Sequence, residues 1–517
     1  MKNRSILFSR RQIVLVAASA GVAILAACAP AAVPTATVAP AKPAAPTTAP
    51  SAPAPTAAAA ASTTAPAAPT KPAVAATTAP AAAPTAVASP ATAPSAKPAT
   101  GVGRNANIKL SVWGDVQDKD VYDNIATDFN AAGKGATLTP EQWSGDYYQK
   151  LQTQLAGGVV PDLVYFQGGE MPPYAIRNVL VPLDDYIARD KYTKAWPKTS
   201  KAHVEQSGYK GKTYLSPSNS SYSLIFYNKE IFDKFGVPYP KEGWTLEQFK
   251  ETAIKLTKTD PKERFYGYQS TMANYQRLVA LIRIDGDQEW DTVVDPKKAQ
   301  WGDGTIADQL DWHLNQAINV LKVSPTAAEM QGGTNQLQST GNVAMVYSGA
   351  FLLPQLQGAK AARPGGIKFD VVGLPVGKRN PPSYRLAIEG QVMMAQSKER
   401  DAAWELQKWI TDEPGQKRIA AGGRMPNIVE HIRKFWLEPT RENYKVTNVD
   451  AFLRGYDAPD VSMSHVVGAV TEREIMTKAG QLYMDKILAG QPARQVVPEM
   501  NTAIQKVLDD FWAKQKE

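Results

Sequence analysis

Residues 147–166 read YYQKLQTQLAGGVVPDLVYF, and this stretch sets the fold class. Tyr147, Leu151 and Leu155 recur every fourth position, the spacing that lines up one face of an α-helix. Gly157 and Gly158 stop that helix, because glycine enters the left-handed region that closes a C-terminus at little steric cost. Residues 161–166 then form a β-rich run. Working upstream, residues 108–113 (IKLSVW) alternate like a strand, and Val121, Ile125 and Phe129 mark another helix face. Downstream, Thr245 with Gln248 is a capping box, with Trp244 and Phe249 at staple spacing. A second box, Thr471 with Glu474, opens a helix through Ile475, Leu482 and Tyr483. The last helix carries Met500, Ile504, Leu508 and Phe511 on one side. Short strands alternating with amphipathic helices predict an α/β fold without tandem repeats.

At 517 residues the chain exceeds what one hydrophobic core usually supports. Its composition is uneven. Residues 29–103 are almost wholly Ala, Pro, Thr, Ser and Val. Prolines every few positions break helices, and alanine offers too little apolar area to offset the ordering entropy. An extended, partly polyproline-like tether is expected there, reaching at most about 230 Å at roughly 3.1 Å per residue. A mucin-like glycosylated stalk has the same composition. The formal net charge of +8 also sits in this part. Residues 1–103 carry seven Lys and Arg and no acidic residue, leaving 50 basic and 49 acidic residues from Arg104 onward. A net of +1 leaves no electrostatic footprint for nucleic acid in the folded part.

Residues 13–27 form an apolar run behind a basic start, too short for a bilayer span and suited to a signal peptide. Leu25-Ala26-Ala27-Cys28 resembles a lipobox, which implies cleavage before Cys28 and its acylation as a membrane anchor. An ordinary cleaved signal peptide with an incidental cysteine is the plainer alternative. Residues 9–14 (SRRQIV) resemble a twin-arginine export signal, although Ile13 and Val14 depart from the usual Phe and Leu. The lone cysteine rules out an intrachain disulfide and a multi-Cys zinc site.

The sequence offers no assembled reactive centre. Gly211-Lys212-Thr213 looks like the end of a phosphate-binding loop, but Gln206 stands where its first glycine belongs. Residues 302–307 (GDGTIA) match a dinucleotide fingerprint by letter only and read as a turn with a helix cap. Asp285, Asp287 and Glu289 lack the ligand ladder of a calcium loop and read as a solvated acidic turn. His203, His313, His431 and His465 are scattered, and no serine lies in a nucleophile elbow. No cofactor, no metal and no enzymatic centre are expected. Binding is favoured over catalysis.

Several segments, in order, resemble the extracellular solute-binding proteins of carbohydrate ABC importers, the group that includes maltose-binding proteins. They are residues 148–163, residues 209–217 with Phe226-Tyr227-Asn228-Lys229, Trp244-Thr245, residues 341–349 (GNVAMVYSG), and residues 402–412 with Arg424-Met425-Pro426. The resemblance covers most of residues 104–517. It implies a two-lobe, type II periplasmic-binding-protein-like α/β fold with an interlobe hinge and a ligand cleft. Lobe one is expected at about 104–222 plus 386–428, and lobe two at about 223–385 plus 429–517. Residues 1–27 would be the signal peptide and 28–103 the lipid-anchored tether. The implied function is capture of a small polar solute, a sugar or oligosaccharide, by cleft closure and its delivery to importer permease subunits. The protein would be extracytoplasmic, lipid-anchored and monomeric.

In such folds ligands sit at the carboxyl ends of strands, and sugars engage amides, carboxylates, arginines and flat aromatic rings. The loop after the first strand nominates Trp113, Asp115 and Gln117, and the loop after residues 161–166 nominates Phe166, Gln167 and Glu170. By analogy with the family, Asn219, Ser221 and Tyr222 lie at the first crossover, and Tyr347 and Phe351 in the AMVYSGAF turn. Phe351 stands where relatives commonly carry a stacking Trp. Glu389 and Gln391 lie near another crossover, and Arg424 ends the matched block. Each aromatic has a core-packing alternative, and Trp244, Trp404 and Trp409 are expected in the core. An oligopeptide, polyamine or glycerol-phosphate-type ligand remains open, with an arginine-lined cleft favouring phosphates. So do a surface-anchored carbohydrate-active enzyme and a sensor or adhesion lipoprotein.

Overall fold

A computed structural model describes residues 105–113, 116–192, 201–330, 337, 340–357, 366–379, 382, 384–457, 462–463 and 467–515. The leader, Cys28, the tether, Asp115 and His465 lie outside them, and the side chain of Gln117 is not described. All described residues belong to one compact unit within Ala82–Glu517.

The chain opens with β1 (Ala106–Trp113), crosses by the helix Val116–Ala131 to β2 (Ala136–Trp143), and returns by the helix Tyr147–Ala156 to β3 (Leu163–Gln167). β1 pairs in parallel with both β2 and β3, so the carboxyl ends at Trp113 and Gln167 lie on one edge. Ile108, Leu110 and Val112 alternate inward against Val121, Ile125 and Phe129, as the two periodicities require. Gly158 closes its helix at φ 68°.

A short hairpin follows, β4 (Gly208–Tyr209) and β5 (Lys212–Thr213). Its two-residue turn places Lys210 at φ 48° and Gly211 at φ 75°, the twist that hairpin strands demand. The look-alike phosphate loop is this turn.

The next strand organises the molecule. β6 (Leu215–Asn228) has 14 residues and spans about 46 Å at roughly 3.3 Å per residue. Its first half pairs antiparallel with β9 (Tyr384–Met393), with a register slip between Pro217 and Asn219. Its second half pairs with β7 (Met345–Gly349) on one side and β8 (Phe369–Val372) on the other. β9 also pairs with β3 and, at Tyr384 and Arg385, with β10 (Ser462–Met463). The path is β2-β1-β3-β9-β6-β7. β6 and β9 thus run from the sheet of β1–β3 into that of β7–β8. A third passage joins them, because Asn219 bridges Pro426 and Ser220 N–H donates to the Met425 carbonyl at 3.1 Å. Gly390 marks the closest approach, since a Cβ there would fall on the Ser216 carbonyl oxygen.

The capping box is present: Thr245 accepts from Gln248 N–H while the Gln248 side chain accepts from Thr245 N–H, and Trp244 meets Phe249 edge-on at 5.5 Å. Trp244 and Trp404 are buried. Thr471 accepts from Glu474 N–H, but the Glu474 carboxylate pairs with Lys478 instead of returning to Thr471 N–H, so only half of the second box forms. Beyond it the expected stripe breaks. A π turn over Met476–Gly480 rotates the following residues, so Met484 and Ile487 face the core while Leu482 is 63% exposed.

The acidic turn is also corrected. Asp285 accepts from Lys378 N–H and the Gln309 amide, and Asp287 accepts from Thr305 N–H and Oγ1–H. Glu289 is wholly enclosed in an ion pair with Arg283. These carboxylates are wired into the fold rather than solvated, and they point to separate partners. Thr305 spends its hydroxyl on Asp287 instead of capping the helix Ile306–Leu310. Among the described residues no helix is long and apolar enough to cross a membrane. None of them gathers three or more His, Cys, Asp or Glu side chains around a metal position.

Candidate functional site

Where the three passages meet they leave a cavity of about 130 Å³. β6 supplies Asn219, Ser220 and Ser221, β9 supplies Arg385, Ala387 and Glu389, and the third passage supplies Arg424 and Met425. Gln167 enters from the end of β3, while Arg277 (on the helix Tyr275–Ile282) and Ala350 with Phe351 after β7 close the far wall. Because β9 side chains alternate, Arg385, Ala387 and Glu389 share one face. A larger space of about 830 Å³, lined by Tyr239, Pro240 and Trp244 among others, is an open surface groove built from residues 235–255 alone. None of its lining residues lies on β6, on β9 or on the third passage.

Glu389 is the cavity's best-anchored group. Its Oε2 lies 2.9 Å from the Tyr165 hydroxyl and 2.8 Å from Asn219 Nδ2, and Gln167 Nε2 reaches Oε1 at 3.4 Å. Burial, with the Glu389 charge beside it, pushes the Tyr165 hydroxyl well above its ordinary ionisation range, so it stays a donor. Arg424 pairs with the buried Asp118 at 2.8 Å. Arg277 lies over the Phe351 ring at 5.7 Å. Burial, and the like charge of Arg385, hold the Arg277 guanidinium below its ordinary range. Gly349 is required nearby, because a Cβ would come 2.5 Å from Ser221 Oγ and 2.7 Å from the Phe351 ring.

Six of the nominated residues therefore converge on one cavity: Gln167, Asn219, Ser221, Phe351, Glu389 and Arg424. Trp113 and Glu170 flank it. Trp113 stacks on Tyr147 at 4.6 Å and meets Tyr165 edge-on at 6.3 Å, one ring away from Glu389. Glu170 is buried and paired with Arg473 at 3.3 Å, which itself lies over Tyr148 at 5.1 Å. Four others face the interior instead. Phe166 alternates away from Tyr165 and packs on Tyr148 and Tyr174. Tyr222 packs on Tyr456, and Tyr347 is buried in β7. Gln391 shares the Glu389 face but lies deeper along β9, bonded to the Tyr122 hydroxyl at 2.8 Å. Sequence reasoning missed Arg385 and Arg277. Stepping back from Glu389 by twos along the strand reaches Arg385. Arg277 comes from a distant helix, and no local signal marks it.

A family model for bacterial extracellular solute-binding proteins matches residues 124–430, more than half of the chain. The chain belongs to that family. This solute-binding protein is 23% identical over 384 residues to a putative binding protein of Brucella abortus, covering 72% of this chain and 86% of that one. Its fold matches an ABC substrate-binding protein of Listeria monocytogenes in complex with cycloalternan (TM-score 0.67, 21% identity, 78% of this chain and 99% of that one). It also matches an ABC transporter solute-binding protein of Thermotoga lettingae bound with alpha-D-tagatose (TM-score 0.65, 20% identity, 78% and 100%). The two-lobe α/β fold of these structures is the fold described here. An extracytoplasmic location follows from the family.

Proposed function

We propose that this solute-binding protein captures a sugar in the cavity at the strand crossings and presents it, lobes shut, to the permease subunits of an ABC importer. One observation carries the reading: a single cavity is lined by all three chain passages and by groups from both sheets. Contacts of that kind exist together only when the cleft is shut, so a ligand that uses both walls shifts the population toward closure. The lobes are residues 104–222 plus 386–428 and residues 223–385 plus 429–517, which puts the passages at β6, at β9 and near Met425. Asn219, Gln167 and Glu389 would take sugar hydroxyls, and Phe351 would lie along the ring. The cycloalternan and alpha-D-tagatose complexes of the similar structures support this choice of solute. We place the protein on the membrane through acylated Cys28, as a monomer on its tether. Replacing Cys28 with Ser should release it into the medium, and retention would refute the anchor.

The deciding experiment is calorimetry and thermal shift of the purified protein against neutral and acidic mono- and disaccharides. A ligand at a hundred times its Kd adds about 2.7 kcal/mol, which raises Tm by about 3 °C for a body of roughly 400 residues. No shift with any sugar, together with unchanged small-angle scattering, would refute the proposal.

A further inference from the structure

The charge balance of the cavity narrows the solute. Three guanidinium groups line it, against one carboxylate among the described lining residues. Arg424 is matched by Asp118. Glu389 is taken up by Tyr165, Asn219 and Gln167. Arg277 and Arg385 remain. Neither pairs with a carboxylate among the described residues; Arg277 has only the Phe351 face, and the Nε of Arg385, a residue 9% exposed, is buried without a partner. The buried Glu472 lies within electrostatic reach of Arg385 but forms no ion pair with it among the described residues, and burial pushes its carboxyl up to about 8.

Two neighbouring cations without counter-ions, Arg385 buried and Arg277 half-buried, are costly, and closing the cleft removes more water from them. The arrangement becomes favourable when an anion enters, since guanidinium forks bind oxyanions by charge-assisted, paired hydrogen bonds. The Ser221 hydroxyl, buried and without a partner on the same wall, supplies a further donor. At about 130 Å³ the space lies below the usual range of ligand pockets, which favours a single ring over a chain.

We propose that the solute is an acidic monosaccharide-sized sugar whose oxyanion, a carboxylate or a phosphate, sits between Arg277 and Arg385 while Glu389, Asn219 and Gln167 bind its hydroxyls. This rests on the solute-capture reading of the same cavity. It predicts that specificity resides in Arg277 and Arg385, residues outside the motifs that reveal the family.

The test is calorimetry on the purified protein with matched ligands: glucose and glucuronate, galactose and galacturonate, glucose 6-phosphate, and inorganic phosphate alone. Arg277→Gln, Arg385→Gln and Arg385→Lys are compared with the surface control Arg494→Gln, and melting curves verify folding. At least one acidic sugar should bind roughly tenfold to a hundredfold more tightly than its neutral parent. Each Gln variant should erase that margin, Arg385→Lys should restore part of it, and Arg494→Gln should leave it intact. Uronates and the sugar phosphate distinguish the two sources of the oxyanion. Neutral sugars bound as tightly as acidic ones, with the Gln variants unaffected, would overturn the anion proposal and leave solute capture standing. Inorganic phosphate bound as tightly as any sugar would overturn the sugar half of it. No binding by any of these ligands would overturn the acidic-sugar proposal, and solute capture would then be decided by the wider sugar screen that includes disaccharides.

Discussion

Removing Glu289 should destabilise the protein far more than removing an average surface carboxylate. Its Oε2 and Oε1 accept from Arg283 Nε and Nη2 at 2.6 and 2.5 Å, with the two side chains 0% and 1% exposed. The Tyr275 hydroxyl also bonds Glu289, and Trp290 Nε1 donates to that hydroxyl at 3.0 Å. Burial works against the Arg283 charge, and Glu289 more than offsets it, so the guanidinium is held above its ordinary range. Glu289→Ala leaves that charge enclosed and alone, which costs about 3–5 kcal/mol. The unfolding entropy of a roughly 400-residue body is about 0.85 kcal/mol/K, so Tm should fall by about 4–6 °C. Replacing both partners by apolar residues of similar volume, Arg283→Met with Glu289→Leu, should recover most of the loss, because the pair's attraction largely offsets its own desolvation. Scanning calorimetry on Glu289→Leu, Arg283→Met and the double variant, beside Glu289→Ala, completes the cycle. A Glu289→Ala protein melting within about 1 °C of the parent would refute the reasoning, since an enclosed unpaired guanidinium cannot be that cheap.

Stability should peak near pH 6.5. Burial, with Glu170 beside it, raises Glu472 from 4.5 to about 8, so the folded state binds its proton more tightly than the unfolded chain. That contribution declines by up to about 1.4 kcal/mol per pH unit as pH rises from about 4.5 to about 8. Burial lowers His203 from 6.5 to about 4 and His313 from 6.5 to about 3, so below pH 6.5 the unfolded chain takes up protons first and stability falls on acidification. Urea midpoints at three pH values read this directly. Glu472→Gln should flatten the alkaline limb, and a midpoint that rises from pH 6.5 to 8 contradicts the assignment. Separately, Gly349→Ala should push the Phe351 ring into the cavity and raise the ligand Kd about tenfold. An unchanged Kd would show that the ring does not shape the site.

Local structure was largely legible in the sequence. The period-two run of β1, the four-residue spacing of Val121, Ile125 and Phe129, and the Thr245 capping box concern neighbours a few positions apart, and each is present. The π turn at Met476–Gly480 escaped because Ile475, Leu482 and Tyr483 fit an unbroken helix equally well. The acidic turn at Asp285–Glu289 escaped because its partners Arg283, Thr305, Gln309 and Lys378 are supplied by folding.

The sequence by itself determined the α/β class, the uneven charge, the family and the segments that line the cavity, because all of these are properties of adjacent residues or of ordered motifs. Only the tertiary structure decided which face of each segment turns to the cavity. A strand offers two faces, and register decides between them: Glu389 and Arg385 turn to the cavity, Phe166 and Tyr347 to the core. It also brought Arg277 against Arg385 from a distant helix. The net charge of a site is a sum over segments far apart in the chain, and folding performs that sum.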